Sequence, residues 1–146
     1  MKKIPTRLIT VDDLELLQMV DKAYCDRFGQ EPMVNLRSLN FYSRSGHSFA
    51  SLDAGRYSGF VFAHAIWNGT KAVVQVSRIA TLDDEAVAKA LIEAVLKSAY
   101  DAAVYDLQVI QPKTDTSGLE AFVDKDFVVS QTTLLTRKLG SKQFGD

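Results

Sequence analysis

Two side chains in this sequence combine reactive chemistry with a placement that a reaction could use. His64 lies within "YSGFVFAHAIW", residues 57–67, and its imidazole titrates near neutral pH without help from its surroundings. Ser77 stands in "KAVVQVSRIA", residues 71–80, beside Arg78, whose guanidinium can hold a carboxylate or phosphate bidentately. Each has a plainer alternative. A histidine among Phe60, Phe62 and Ile66 is more often a hydrogen-bonded core residue, and Arg78 is explained about equally well by an ion pair with Asp83, Asp84 or Glu85. His47, at the start of an alternating run, is expected at the surface. Cys25 is the one cysteine, so no disulfide forms within the chain, and its place on an amphipathic pattern makes it a small buried residue. The two histidines fall on different elements and no His/Asp/Glu set has ligand spacing, so no metal site is expected. Tyr100 and Tyr105 are expected to pack rather than to act as acids.

Residues 80–95, "ATLDDEAVAKALIEAV", place three acids where a strand gives way to a helix. The amides of a helix N-terminus attract anions, and acids there satisfy that end from within the chain, contributing roughly 0.3–1 kcal/mol each. They also fill an anion site with negative charge. Two or three carboxylates near a pyrophosphate would cost on the order of several kcal/mol at an effective dielectric of about 20.

The elements that carry these residues follow from hydrophobic periodicity. "TRLIT" reads as a short strand, and Thr10 with Asp13 has capping-box spacing for a helix over 11–28 that stops near Gly29 and Pro32. A second helix spans about 34–44. From His47 the period changes to two, and "HSFASL", "YSGFVFAHAIW" and "KAVVQVSRIA" form an antiparallel meander joined by "DAGR" and by "NGT", whose Asn-Gly is a strong hairpin signal. Both faces of 57–67 are apolar, which predicts a central strand. Thr81 as N-cap, with Asp84 three residues on, opens a long helix with Leu82, Ala86, Ala90, Leu91, Ala94, Val95 and Ala99 as its buried stripe. A strand at 104–111 follows and runs parallel to 71–80, since the helix is a crossover. Ser117 and Glu120 cap a short helix through Lys125, and "FVVSQTTLLTRKL", residues 127–139, reads as a long closing strand.

The order β-α-α-β-β-β-α-β-α-β resembles the GNAT superfamily of acyl-CoA-dependent N-acyltransferases, with a mixed, largely antiparallel sheet flanked by helices. "TRLITVDDLELLQMVDKAY" is similar to that family's first strand and helix, "GFVFAHAIWNGTKAVVQVSRIAT" to its hairpin and fourth strand, and "GLEAFVDKDFVVSQTTLLTRKL" to its closing segment. The resemblance covers nearly the whole chain, as one α/β domain over 1–146. It implies an acyl-CoA, such as acetyl-CoA, as cofactor and an amine as acceptor.

The family's pyrophosphate loop, Gln/Arg-x-x-Gly-x-Gly/Ala, falls on "DDEAVA": Asp83 stands for Gln/Arg, Ala86 for the first Gly, and Ala88 matches. The cofactor-binding set implied is Ile79, Ala80, Thr81, Ala86, Val87, Ala88 and Asp115, with an oxyanion donor from the backbone N–H near Ile79 or Ala80. Asp115 stands for a frequent Asn, Phe122 for a Tyr able to protonate the departing thiolate, and Asp126 for the Gly that precedes Phe127. Phe122 has no proton to give. His64 and Ser77 are the implied catalytic side chains. A divergent acyl-CoA-dependent N-acyltransferase is therefore the leading expectation; a non-catalytic ligand-binding or oligomerising module of the same fold is the alternative.

Composition sets the outer bounds. The chain has 146 residues, 47% hydrophobic and 24% charged, with a net charge of -1, which is ordinary for a folded domain and gives no global field to attract nucleic acid or an anionic membrane. No apolar stretch of spanning length follows the basic start, so a cytoplasmic protein is expected. A closing strand at 127–139 leaves pairing edges that a homodimer would cover.

Overall fold

The computed structural model describes residues 3–53, 56–82 and 84–140. Ala54 and Gly55 of the "DAGR" connection, and Asp83, lie outside the described residues. Five strands form one sheet in the order β1-β2-β3-β4-β5, with β1 at Thr6–Leu8, β2 at Phe49–Asp53, β3 at Arg56–Trp67, β4 at Ala72–Thr81 and β5 at Leu107–Val109. All neighbours pair antiparallel except β4 and β5, which are parallel with Val74 opposite Leu107 and Val76 opposite Val109. The helices are α1 at Leu14–Phe28, α2 at Leu36–Ser43, α3 at Glu85–Asp101 and α4 at Thr116–Asp124, with a 3-10 turn at Val11–Asp13 before α1. None is long and apolar enough to cross a membrane.

The apolar character of both faces of β3 has the expected consequence. Val61 and Ala63 pack with Val87, Leu91, Ile92 and Val95 of α3, whereas Phe60 and Phe62 pack with Leu17, Val20 and Tyr24 of α1. The sheet is thus covered on both faces, with the long crossover helix on one and α1 on the other. Local signals agree where they are strongest. The capping box of Thr10 and Asp13 forms, Gly29 ends α1 in the left-handed conformation at φ 65, and Asn68 Oδ1 accepts from the N–H groups of Thr70 and Lys71 in the β3–β4 turn.

Four sequence expectations need correction. Thr81 is the last residue of β4, paired opposite Gly59, and Asp84 caps α3 instead. The helix therefore starts three residues later than its capping-box spacing suggests, its buried face is Val87, Ala88, Leu91, Ile92, Val95 and Ala99, and Leu82 is exposed. Helix α4 is capped by Asp115, not Ser117, because the Asp115 carboxylate accepts from Gly118 N.

His47 is buried rather than exposed, since Nδ1 pairs with Ser98 Oγ of α3 at 2.8 Å. Finally, 127–139 forms no strand within this chain. Strand hydrogen bonds need a paired neighbour; after Asp126, at φ 68, the chain forms no strand pairing among the described residues.

Candidate functional site

Strand β4 carries the irregularity on which the site is built. Phe62 pairs with Arg78 and Ala63 with Val76, so β3 skips Ser77, which is the extra residue of a β-bulge. On the other side the pairing with β5 ends just before it: the last hydrogen bond is from Ile110 N to Val76 O at 3.2 Å. From Ser77 to Thr81 the strand is unpaired on that side, and the two parallel strands open there. Ser77 Oγ accepts a hydrogen bond of 2.8 Å from the Tyr42 hydroxyl of α2. The Tyr42 ring in turn stacks on Phe62 at 4.2 Å and meets the His64 ring edgewise at 5.7 Å. Tyr42 is thus the contact shared by the two expected catalytic side chains, and no sequence motif marks it.

His64 projects from β3 among aromatic rings, with Phe41 at 5.1 Å, and its Nδ1 has no hydrogen-bond partner. Burial pushes its pKa below the ordinary 6.5. His47 is shifted the same way, by burial first and then by the proximity of His64. Both imidazoles are therefore biased toward the neutral form, the form a base requires.

Two buried polar clusters involve Arg78 of β4 and Asp115 of the segment after β5. Arg78 Nη1 donates to Asp21 Oδ1 at 2.8 Å and to the Glu31 carbonyl at 2.9 Å, and lies 3.3 Å from Cys25 Sγ. Arg78 is therefore bound to α1 and its following loop, and pairs with neither Asp84 nor Glu85. In the second cluster, Asp115 Oδ2 accepts from the Tyr24 hydroxyl at 2.7 Å and from Gln111 Nε2 at 2.9 Å, while Oδ1 accepts from Gly118 N. The space is full: a Cβ on Gly118 would meet Asp115 Oδ2 at 2.5 Å. Burial, then the hydrogen bond to Asp115, pushes the Tyr24 hydroxyl pKa upward, so it stays a donor. Asp21 and Tyr24 carry no local sequence signal, because their partners are 57 and 91 positions away.

The N-terminus of α3 abuts the end of β4. Ile79, Val87 and Ala88 are buried in one core cluster, Ala80 is buried on the opposite face, and Ala86 is exposed at the first turn. Close approach holds this corner together, since a Cβ on Gly59 would meet Ala80 O at 2.9 Å and Val87 Cγ1 at 3.1 Å. Asp84 Oδ1 accepts from Ala86 N at 3.0 Å and from Val87 N at 3.2 Å. The amides that would face a pyrophosphate are thus already bound to a carboxylate, and Glu85 adds a second one beside it. These residues do not fit a pyrophosphate group.

The remaining family positions are Phe122 and Asp126. Phe122 is 1% exposed in the core, and Asp126 adopts a left-handed conformation that favours glycine. The structure therefore gathers Ser77, Ile79, Ala80, Thr81 and Ala86–Ala88 around one corner, links His64 to it through Tyr42, and sets Asp115 apart with Tyr24. Among the described residues no group of three His, Cys, Asp or Glu side chains could hold a metal ion.

Residues 7–144 match the family model described as protein of unknown function (DUF1999). No curated protein matches the sequence. Among solved structures, wild-type TTHA1254 from Thermus thermophilus is 33% identical, with a TM-score of 0.80 over 94% of this chain and 99% of that one. A ribosomal-protein-alanine N-acetyltransferase from Brucella melitensis biovar Abortus 2308 is 14% identical, with a TM-score of 0.75 over 92% of this chain and 99% of that one. A predicted acetyltransferase with acetyl-CoA from Clostridium acetobutylicum is 13% identical, with a TM-score of 0.73 over 92% and 96%. The fold is that of the GNAT acetyltransferases.

Proposed function

Since this chain belongs to the DUF1999 family and has the GNAT fold, we propose that it is a ligand-binding or oligomerising module of that fold that does not use an acyl-CoA donor. The observation that carries this reading is the Asp84 carboxylate on the Ala86 and Val87 amides. An anion arriving there must displace a bound carboxylate and then stay beside it, at a cost on the order of several kcal/mol, much of ordinary cofactor affinity. The Asp115 carboxylate is likewise committed to Tyr24, Gln111 and Gly118.

A second reading, an acyl-CoA-dependent N-acyltransferase acting on an amine, is supported by the bulge at Ser77 and the opening between β4 and β5. Under it His64 is the proton acceptor and Ser77 a polar group at the acceptor side, and the residues at the α3 corner would have to rearrange. Isothermal calorimetry with acetyl-CoA and with free coenzyme A separates the two. Silence at millimolar ligand is expected; a dissociation constant in the micromolar range would overturn the proposal in favour of the acyltransferase.

A further inference from the structure

We infer that the cavity between α2 and the far end of β3, lined by Phe41, Arg44, Ser45, His64 and Ala65, binds a small carboxylate that carries a flat apolar body, the chemistry of an aryl carboxylate. This assigns a ligand class to the ligand-binding reading above and rests on it.

The cavity holds about 320 Å³, and no residue of β4, β5, α3 or α4 lines it, so it is separate from the opening beside Ser77 and from the α3 corner. It exists because β2 is shorter than β3. The first residue of β2, Phe49, pairs with Val61, and Ser48 then closes the edge a little further: its hydroxyl donates to Ala63 O at 2.8 Å and accepts from Ala63 N at 2.9 Å. Ala63 therefore turns its backbone groups away from β4, whereas Asn68 N, at the other end of the run, donates back to Lys71 O of the β3–β4 turn. Alternation puts Ala65 with Ala63, so the Ala65 N–H points to the uncovered side, where no strand among the described residues receives it.

Three donors thus meet at the cavity without acceptors of their own. Arg44 is exposed, and its guanidinium makes no hydrogen bond or ion pair among the described residues. His64 Nδ1 is buried without a partner. Orphaned buried N–H groups are rarer than under-used acceptors, so the neutral ring keeps its proton on Nε2, the nitrogen left to meet a ligand. The ring is held in place by Phe41 at 5.1 Å and Tyr42 at 5.7 Å, and Tyr42 is itself fixed by its bond to Ser77. The third donor is Ala65 N–H. Ser45 adds none, because its hydroxyl donates to Tyr42 O at 2.8 Å and accepts from His47 N at 3.1 Å.

Nothing of opposite sign competes. No Asp or Glu lines the cavity, and the carbonyls that end α2 are already bound: Asn40 O by Ser43 Oγ, Phe41 O by Arg44 N and Tyr42 O by Ser45 N. One guanidinium fork with two N–H groups matches a single carboxylate. Phe41, 55% exposed, supplies the apolar wall that the body of such a ligand would cover.

Amide-detected NMR of the full chain titrated with sodium benzoate tests this. The signals of Phe41, Arg44, His64 and Ala65 should shift saturably, with a dissociation constant on the order of 1 mM or tighter. Benzamide (the ring without the charge), acetate (the charge without the ring) and inorganic phosphate should each bind weaker by about tenfold or more. Arg44→Gln should weaken benzoate by about tenfold with an unchanged far-UV circular dichroism spectrum, since its side chain is exposed. His64→Phe, which keeps a ring beside Phe41 and Tyr42 but has no N–H, should weaken it likewise. Absence of saturable shifts at these residues overturns the inference, as does benzamide or phosphate binding equal to benzoate, or parent-like binding by Arg44→Gln. A micromolar affinity for coenzyme A would overturn the functional proposal without altering the benzoate result, whereas benzoate silence overturns only the ligand class inferred here.

Discussion

The Arg78 guanidinium of β4 and the Asp21 carboxylate of α1 form an ion pair at 2.8 Å, with the two side chains 8% and 2% exposed. Asp21 Oδ2 also accepts from the N–H groups of Met33 and Val34, so one carboxylate joins the sheet, the first helix and the loop that follows it. Arg78→Met should leave that carboxylate buried without its cation and cost about 3–5 kcal/mol in urea denaturation. Adding Asp21→Asn should recover part of the loss, because the stranded charge is then removed.

Asp84→Ala should lower stability by about 0.5–2 kcal/mol, the usual cost of an N-cap, seen as a lower thermal midpoint. The same change frees the Ala86 and Val87 amides. Combined with Asp83→Arg and Glu85→Gln, it should introduce coenzyme A binding measurable by calorimetry, since the repulsion is removed and the helix amides are exposed. If the triple variant is as silent as the parent, the acids are not what keeps the cofactor out.

Gly59→Ala should destabilise the α3 corner. The added methyl would meet Ala80 O at 2.9 Å, Thr81 Cγ2 at 3.0 Å and Val87 Cγ1 at 3.1 Å, and the first of these is backbone. A cost of roughly 1–3 kcal/mol in chemical denaturation is expected, typical of overpacking. Full retention of stability would mean that strand and helix can separate there.

Both histidines have pKa values depressed below the ordinary 6.5 by burial. The unfolded chain then binds more protons than the native one as pH falls through 6.5, so this contribution to stability is complete above 6.5 and is lost toward the depressed native values. Thermal midpoints should fall across that window. His47→Gln with His64→Gln should flatten the fall relative to the parent, and an identical slope in both proteins would count against it.

Much of the fold was legible because its signals are local. The Asn68-Gly69 turn, the Thr10–Asp13 capping box and the doubly apolar β3 each depend on residues a few positions apart, and each has its expected form. The start of α3 was not, because Thr81 and Asp84 both satisfy the rule for a cap. The choice was made by the pairing of Thr81 with Gly59, 22 positions earlier, which extends β4 and leaves Asp84 to cap. At the site, the acids of the α3 loop were readable as an obstacle to an anion, but Tyr42 and Asp21 were not readable at all.

What the sequence by itself determined about this protein is its alternation of strands and helices, the hairpin between β3 and β4, and negative charge where related folds leave a place for phosphate. These follow from periodicity, turn chemistry and charge, which act within a few residues. Only the tertiary structure decided that Arg78 turns to Asp21, that Asp115 is consumed by Tyr24 and Gln111, and that 127–139 forms no strand pairing among the described residues. An alternating sequence states a capacity to pair. Hydrogen bonds form only when a neighbouring edge lies alongside, and that is a property of the assembled sheet.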